Sequence, residues 1–321
     1  MANIIFKNIA FICTLLLNRY IIAAVDMSLS PSQIPRDLII GGERANVNDY
    51  PWFAKDIVRD AAGDYYYGGC GGSLITPEYV LTAAHCNISS VVGYEIGAFC
   101  YEEDNCGQAY DIVEVARKYV HEGWNPLSLQ YDFALMKLVQ RVNITDPVKL
   151  DQGNISSKYS SNYRNLWTVG FGDTDPSSNY YYYPNYLHHV ELAYVSQSTC
   201  AAQYAGRNRI TSSMMCATDP GQDSCIGDSG GPLYDKNFQT LVGIVSFGPI
   251  EGCAIPGYPG VYSRIANQWT WIKTKVCGDH SSPKPDFCTQ TTISSASHVV
   301  SWISSLVIGC FPVFAFLFIH F

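Results

Sequence analysis

The sequence predicts an all-β protein, and two observations lead to this prediction. Short runs of β-branched and aromatic residues recur along the chain, separated by Gly, Pro, Asn and Ser. The chain has no sustained heptad pattern and few long charged helix faces. With 321 residues, 47% of them hydrophobic and 15% charged, it is neither disordered nor collagen-like. At about 150 residues per domain, we expect roughly two compact units.

The N-terminus has the composition of a secretory signal. An apolar run, Ile9 to Leu17, follows Lys7 and is too short to span a bilayer. We expect a signal peptide over residues 1–24, with cleavage after Ala24. A signal-anchor helix is the alternative, and the charge of Arg19 disfavours it.

The C-terminal residues resemble a lipid-attachment signal. No Lys, Arg, Asp or Glu follows Asp286, and a small-residue stretch beginning at Ser294 precedes a polar spacer and the apolar residues 306–321. This pattern predicts a glycosylphosphatidylinositol (GPI) anchor attached at Ser294. The alternative is a membrane helix over residues 299–321, which would be long enough but lacks flanking Lys or Arg.

Cysteine usage indicates an oxidising compartment. Of twelve cysteines, Cys13 lies in the predicted signal and Cys310 in the tail. The other ten are Cys70, Cys86, Cys100, Cys106, Cys200, Cys216, Cys225, Cys253, Cys277 and Cys288. In a secreted chain they predict disulfides, and none has zinc-ligand spacing. Sequons at Asn87, Asn143 and Asn154 predict glycosylation in the same compartment.

Three short motifs occur in a fixed order. His85 lies in LTAAHC, Asp132 in YDFAL and Ser229 in GDSGGP. Each motif alone has an ordinary structural interpretation. Together, 47 and 97 residues apart, they resemble the signature of a trypsin-like serine protease with the chymotrypsin fold. The resemblance covers Ile39 to about Cys277.

The resemblance implies a domain organisation. Two six-stranded antiparallel β-barrels would occupy residues 39–150 and 151–277, and the second would include a short helix around 268–276 anchored by Trp271. Residues 25–38 would be a propeptide. A linker over 278–298 and a hydrophobic tail over 299–321 would follow.

The resemblance also assigns chemical roles to the three motif residues. A serine hydroxyl is a weak nucleophile at neutral pH, so His85 would take the proton of Ser229 during attack. Asp132 would fix the tautomer of the imidazole and stabilise its charged form. The backbone N–H groups of Gly227 and Ser229 would form the oxyanion hole.

The segment from Ile39 to Gly42 (IIGG) resembles the new N-terminus that cleavage of a zymogen exposes. The freed amine of Ile39 would pair with Asp228 in the interior. The chain departs from the family at Leu38, where Arg or Lys is usual. Activation would therefore need a protease that cuts after Leu38, or a cut after Arg36 followed by trimming.

Asp223 lies six residues before Ser229, at the position of the substrate-pocket floor in this family. A carboxylate there implies preference for Arg or Lys before the scissile bond. The resemblance assigns the pocket walls to Ser246, Phe247, Gly248 and Gly260. Phe247 and Phe171 replace the family's usual Trp, and we expect them to alter subsite preference. The apolar Ile226 is expected to favour apolar groups after the scissile bond.

The resemblance implies the disulfides Cys70–Cys86, Cys200–Cys216 and Cys225–Cys253. Cys100 and Cys106 are then expected to close a small acidic loop, and Cys277 to pair with Cys288. Some relatives bind calcium near this loop, but it has no recognisable ligand spacing, so we expect neither metal nor cofactor. The tyrosine-rich residues 179–189 are either a binding surface or packed loop residues, and we favour the latter.

The sequence therefore predicts a secreted, membrane-anchored serine endopeptidase that is made as a zymogen and cleaves after Arg or Lys. The partners we expect are protein or peptide substrates and protein inhibitors, and we expect a monomer. A net charge of −8 argues against nucleic acid. The alternative function is that of a catalytically silent protease-fold binding protein, although the motif residues are all present.

Overall fold

The computed structural model describes residues 39–86, 89–101, 105–175 and 182–289. Several predicted features lie outside these residues. They are the signal peptide, the propeptide, Asn87, the acidic residues 102–104, part of the tyrosine-rich segment, Ser294 and the hydrophobic tail. Within residues 39–289, no described helix combines the length and the hydropathy that crossing a bilayer requires.

The first barrel is a closed antiparallel sheet with the strand order β2-β3-β4-β7-β6-β5. A two-residue strand, β1 (Glu43–Arg44), precedes it and belongs to the second barrel. The barrel strands are β2 (Phe53–Arg59), β3 (Tyr65–Thr76), β4 (Tyr79–Thr82), β5 (Val91–Ile96), β6 (Asp111–Val120) and β7 (Ala134–Leu138).

The second barrel closes because β9 pairs with both β10 and β12. Around it the strands run β9-β10-β11-β14-β13-β12, while β1 pairs with β10 and β8 with β13. The strands are β8 (Lys149–Leu150), β9 (Leu166–Gly170), β10 (His188–Val195), β11 (Met214–Thr218), β12 (Pro232–Asp235), β13 (Thr240–Phe247) and β14 (Gly260–Arg264). The predicted fold class, two six-stranded antiparallel barrels, is confirmed.

Strand β10 illustrates how the sequence fills a barrel. Its alternate residues Val190, Leu192 and Tyr194 are buried and belong to one core cluster, because side chains alternate between the two faces of a strand. Tyr262 of β14 and Leu233 of β12 join that cluster. The period-two pattern therefore places the apolar side chains inside the barrel.

Helical structure is sparse and lies mainly after the second barrel. The helices are α1 (Gln197–Gln203), α2 (Ile265–Gly278) and α3 (Asp286–Thr289), and short 3-10 turns span Asn105–Gly107 and Ser156–Lys158. Helix α2 is the expected C-terminal helix and begins three residues before the predicted start. Its Trp271 donates a hydrogen bond through Nε1 to Glu122 Oε2 at 2.7 Å, which ties the helix to the loop before β7.

The first part of the predicted linker is packed against the first barrel. The carboxylate of Asp279 pairs with Lys137 at 2.8 Å and with Arg117 at 2.9 Å. His280 is buried, and its Nδ1 lies 3.7 Å from the Glu78 carboxylate. Because α2 points its C-terminus at the first barrel, the chain beyond it continues along that barrel.

Five disulfides join the cysteines that the sequence analysis paired. They are Cys70–Cys86, Cys100–Cys106, Cys200–Cys216, Cys225–Cys253 and Cys277–Cys288. Such a number of disulfides is typical of chains that fold in an oxidising, extracellular-type compartment.

Candidate active site

The pairing of β4 with β7 brings His85 and Asp132 together. Thr82, the last residue of β4, lies opposite Ala134, the first residue of β7. Because the strands are antiparallel, the residues after Thr82 and those before Ala134 lie at the same edge of the sheet. The disulfide between Cys86 and Cys70 of β3 holds this edge on its other side.

Asp132 is fully buried and accepts three hydrogen bonds. The His85 backbone N–H donates to Asp132 Oδ1 at 2.9 Å, and His85 Nδ1 lies 2.7 Å from Asp132 Oδ2. The Ser246 hydroxyl donates to the same Oδ2 at 2.6 Å. Ser246 lies at an irregularity between β13 and β14, where the register shifts between Val245 and Phe247. The second barrel thus supplies one donor to a carboxylate of the first.

This arrangement fixes the tautomer of His85. A carboxylate oxygen only accepts, so Nδ1 carries the proton and Nε2 keeps its lone pair. The His85 side chain is 27% exposed, whereas Asp132 has no exposure. The imidazole is therefore accessible and in the form that can accept a proton from a hydroxyl.

Ser229 lies on a tight turn before β12 that contacts both barrels. Gly71 of the first barrel donates its N–H to the Ser229 carbonyl at 2.7 Å, and Gly230 donates to the Val245 carbonyl at 3.0 Å. Gly230 has a φ of +75°, and a Cβ there would lie 2.3 Å from Thr82 Oγ1. Only glycine therefore allows this close approach beside Cys86 and the preceding His85.

The turn also presents backbone donors. Gly227 has a φ of +102°, and neither its N–H nor that of Ser229 donates to another described residue. The carboxylate of Asp228 holds the turn, since it accepts from Cys225 N and Gly172 N, both at 2.8 Å. The two unengaged N–H groups are suited to hold an oxyanion.

Asp228 is completely buried without a cationic partner among the described residues. Burial raises the pKa of its carboxyl to about 7, and the N–H donors of Cys225 and Gly172 offset part of the effect. A cation that reached this buried carboxyl would further stabilise its ionised form.

Asp223 lines a cavity of about 290 Å³. Its Oδ1 accepts from the Ser224 N–H at 2.9 Å and its Oδ2 from the Ala254 N–H at 3.1 Å. Burial raises the pKa of Asp223 to about 7, and the nearby Asp228 adds to the shift. The cavity is also lined by Ser229, Ser246, Phe247, Gly248 and Gly260.

The two glycines of this cavity differ in their surroundings. A Cβ on Gly260 would lie 2.6 Å from Asp223 Oδ1, whereas a Cβ on Gly248 would meet no described atom within 4 Å. Gly260 therefore leaves room for the buried carboxyl itself. Gly248 leaves open the space beside it at the cavity.

The first described residues pack against this cavity. Ile39 is fully buried in the core of the second barrel. The carbonyl of Ile40 accepts from the Asp223 N–H at 3.3 Å, and the Gly41 carbonyl accepts from the Gln222 side chain at 3.0 Å. The chain segment that begins at Ile39 is thus hydrogen-bonded to Asp223, which lines the cavity, and to its neighbour Gln222.

The remaining residues named in the sequence analysis differ in their exposure to solvent. Phe171 is buried, Phe247 is half-buried, and Ile226 is exposed. Asn143 and Asn154 are exposed, as glycosylation requires. The described tyrosines of the 179–189 segment divide into exposed Tyr182 and Tyr183 and half-buried Tyr186. Among the described residues, no group of His, Cys, Asp and Glu is arranged to hold a metal.

Sequence reasoning missed one partner of the site. It assigned Ser246 to the cavity wall, where the structure also has it, but did not foresee that its hydroxyl donates to Asp132. The signal that could have found it is the burial of Asp132 within an apolar segment, since a buried carboxylate needs more than one donor. Which residue supplies the donor depends on how the two barrels meet.

A buried Asp–His pair and a serine on a Gly-Asp-Ser-Gly-Gly turn that contacts both β-barrels are features of the class of serine endopeptidases. A family model described as Trypsin matches residues 39–272. The chain is 35% identical over 238 residues to hypodermin-B of Hypoderma lineatum, covering 73% of this chain and 86% of the relative.

Two further relatives give similar values. Trypsin 5G1 of Aedes aegypti is 34% identical over 241 residues, covering 73% of this chain and 84% of the relative. Chymotrypsin-C of Mus musculus is 34% identical over 254 residues, covering 74% and 88%. The chain belongs to the trypsin family of serine proteases.

The close contact at Gly230 yields a prediction about stability. Gly230→Ala would put a methyl group 2.3 Å from Thr82 Oγ1 and 2.6 Å from the Gly71 carbonyl oxygen. We expect it to lower the free energy of unfolding by about 2–4 kcal/mol, from overpacking and a left-handed backbone. Gly248→Ala is the matched control and should change stability by less than about 0.5 kcal/mol. Equal denaturant midpoints for the two variants would contradict this account.

Proposed function

We propose that the chain is an active endopeptidase in which Ser229 is the nucleophile, His85 the general base and Asp132 the group that orients His85. The observation that carries this proposal is the 2.7 Å contact between His85 Nδ1 and the buried Asp132 carboxylate. It leaves Nε2 free to accept the proton of the serine hydroxyl. Ser229 attacks the substrate carbonyl, and the oxyanion is held by the N–H groups of Gly227 and Ser229.

The reaction proceeds through an acyl-enzyme. Attack by Ser229 Oγ forms a tetrahedral intermediate as His85 accepts the hydroxyl proton. The protonated imidazole gives this proton to the leaving amine, and the peptide bond breaks. A water molecule then attacks the ester by the same route and regenerates the serine. The Asp132 carboxylate stabilises the charged imidazole at both stages.

We infer a preference for Arg or Lys before the scissile bond. Support comes from the buried carboxyl of Asp223, which lines the same cavity as Ser229. The carboxyl of Asp223 accepts hydrogen bonds from two backbone N–H groups and has no cationic partner among the described residues. A substrate guanidinium or ammonium would supply that cation. The relatives include proteins named trypsin and one named chymotrypsin, so a different specificity is the alternative to this inference.

We propose that cleavage before Ile39 activates the enzyme. The new amine would pair with Asp228 and stabilise the turn that presents the oxyanion-hole donors. Support comes from the complete burial of Asp228, which has no cationic partner among the described residues. The hydrogen bond from the Asp223 N–H to the Ile40 carbonyl also supports it. Because Leu38 precedes the cleavage point, the activating protease cuts after Leu38, or after Arg36 with later trimming.

Activity and its dependence on Ser229 are the first prediction of this proposal. The full-length chain is expressed with residues 34–38 replaced by the recognition site of a specific protease, so that cleavage leaves Ile39 first. The cleaved enzyme should hydrolyse Arg and Lys amides and react with a serine-directed fluorophosphonate. Ser229→Ala should lose both activities, by about 10⁴-fold or more in kcat.

The uncleaved chain is the control, and it should be much less active than the cleaved chain. No hydrolysis and no labelling after verified exposure of Ile39 would overturn the proposal. That result would favour a protease-fold binding protein without turnover.

The raised pKa of Asp223 predicts a pH dependence of specificity. Asp223 pairs with Arg only when ionised, and its pKa in the free enzyme is about 7. Substrate binding therefore releases a proton, and KM for an Arg substrate should fall as pH rises through about 7. A Leu substrate with the same leaving group should show no such change in KM. Asp223→Ser should remove the effect and lower kcat/KM for the Arg substrate by about 10²–10⁴-fold.

The same kinetic measurements can also contradict the role of Asp223. If wild type and Asp223→Ser cleave Arg and Leu substrates with equal preference, Asp223 does not set specificity. The assignment of the cavity to a cationic residue would then be abandoned, while the assignment of Ser229 would stand.

We further propose that the protein is secreted, glycosylated at Asn87, Asn143 and Asn154, and held at the cell surface by a GPI anchor at Ser294. The small residues, polar spacer and apolar tail support this anchor. In a eukaryotic secretory host, phosphatidylinositol-specific phospholipase should release the protein from cells. A variant lacking residues 299–321 should appear in the medium without treatment. Retention of a protein with an intact C-terminal tail, measured by mass spectrometry, would establish the membrane helix instead.

A further inference from the structure

One residue of the loop before β7 contacts the chain on both sides of Asp132. His121 is the first residue after β6, and its backbone N–H donates to the carbonyl of Phe133 at 3.0 Å. Its imidazole stacks on the ring of Tyr131, with the ring centroids 4.9 Å apart and the ring planes at 9°. Tyr131 precedes Asp132 in the chain, and Phe133 follows it. His121 therefore holds both neighbours of this buried acid.

The backbone around Asp132 has an unusual conformation. Tyr131 has a φ of +55°, which is rare for a bulky residue and costs free energy. The Phe133 N–H donates to the Tyr131 carbonyl at 2.8 Å, which closes a three-residue turn centred on Asp132. A left-handed residue of this kind persists only where neighbouring contacts hold it. The contacts of the Tyr131 ring therefore help to fix where the Asp132 carboxylate points.

Two hydrogen bonds fix the His121 ring itself. The Gly123 N–H donates to Nδ1 at 2.9 Å, so Nδ1 carries no proton, and Nε2 donates to Oε1 of Gln268 at 2.9 Å. Burial lowers the pKa of His121, an effect that the hydrogen bond to Gln268 and the charge of Glu122 oppose. The charge of Lys275 adds to the lowering of this pKa. The ring is therefore neutral and held in one tautomer at neutral pH.

The His121 ring lies between the loop and helix α2. Gln268 and Trp271 both belong to α2, and the Trp271 ring centroid is 4.8 Å from that of His121. On the loop side, a Cβ on Gly123 would lie 2.9 Å from the Tyr131 ring, so glycine lets the loop backbone pack against that ring. A chain of contacts thus runs from α2 through His121 and Tyr131 to the residue that follows Tyr131, the buried acid.

A second stacked histidine lies at the other end of the same strands. His280 stacks on Tyr79, with ring centroids 5.9 Å apart, and its Nε2 lies 3.2 Å from Thr76 Oγ1. Tyr79 is the first residue of β4, whereas the last residue of that strand, Thr82, leads to His85. His280 therefore resembles His121 in its packing but not in its place relative to the site.

From these contacts we propose that His121 is a positioning residue for the reaction. It holds Tyr131 in its left-handed conformation and so keeps the Asp132 carboxylate within hydrogen-bonding distance of His85 Nδ1. The proposal rests on the proposed roles of Asp132 and His85. His121 does not line the cavity that contains Asp223. Loss of its ring should therefore slow the chemical step without weakening the binding of the substrate.

Kinetics of the cleaved full-length enzyme test this role. An Arg amide is the substrate, and active sites are counted by fluorophosphonate titration. His121→Ala should lower kcat by about 10-fold or more and change KM by less than about 2-fold. His121→Phe loses both hydrogen bonds but keeps a ring that can stack on Tyr131, so its kcat should exceed that of His121→Ala by about 3-fold or more. No such recovery would overturn stacking as the means by which His121 acts.

His280→Ala is the matched control, because it removes another histidine that stacks on a tyrosine of the first barrel. It should lower the denaturant midpoint and keep kcat and KM within about 2-fold of the wild-type values. Equal losses of kcat in His280→Ala and His121→Ala would indicate a general effect of stability. That result would overturn the positioning role.

A spectroscopic measurement tests the same role without turnover. The proton on His85 Nδ1 lies in a 2.7 Å hydrogen bond to a carboxylate and is expected far downfield in the proton NMR spectrum. Its resonance is assigned by its absence in Asp132→Ala. In a Ser229→Ala background, His121→Ala should move this resonance upfield or remove it, whereas His280→Ala should leave it in place. An unchanged resonance in His121→Ala would overturn the proposal.

The outcomes separate this proposal from the one on which it rests. Full kcat in His121→Ala beside an active wild type overturns the positioning role and leaves the protease standing. No hydrolysis and no fluorophosphonate labelling by the wild type overturns the proposed function. The NMR resonance then still decides whether His121 holds Asp132 against His85.

Discussion

The burial of the Asp132 carboxylate is the constraint on which the site depends. A carboxylate with no exposure is tolerated only when its oxygens accept hydrogen bonds, and here donors come from both barrels. His85 supplies two donors from the first barrel and Ser246 one from the second. Both barrels therefore hold the carboxylate that orients His85 and keeps the proton on Nδ1, which is the tautomer that the chemistry requires.

Three buried acids of this site differ in how their charge is balanced. Asp132 is satisfied by donors within the fold, whereas Asp223 and Asp228 have backbone donors only, and burial raises the pKa of each to about 7. We read the two unbalanced acids as binding sites for cations that arrive later, the substrate side chain and the amine of Ile39. The hydrogen bonds formed on folding offset only part of the free-energy cost of burying these two carboxylates. Each cation that binds can therefore stabilise the ionised carboxylate and the site around it.

Much of the site could be predicted because its chemistry is local in the sequence. The segments around His85, Asp132 and Ser229 carry the motifs, and the spacing of Asp223 from Ser229 lies within one turn-containing segment. The two-barrel fold followed from those motifs rather than from the strand pattern, which alone indicates only an all-β chain. The hydrogen bond from Ser246 and the packing of residues 279–289 depend on how distant elements meet. No local pattern encodes either contact.

A cavity of about 420 Å³ beside Gly227 escaped prediction, and it is lined by the four rings of Phe53, Tyr67, Tyr101 and Phe171. Its rings come from β2, β3 and two loops, and each ring alone reads as an ordinary core or surface residue. Their convergence is set by register, since β2 pairs with β3 on one side and Lys55 lies opposite Glu95 of β5 on the other. The ion pair between Lys55 and Glu95 is buried, and the Lys55 ammonium faces three aromatic rings. The same barrel that positions His85 therefore also supplies most of the lining of this cavity.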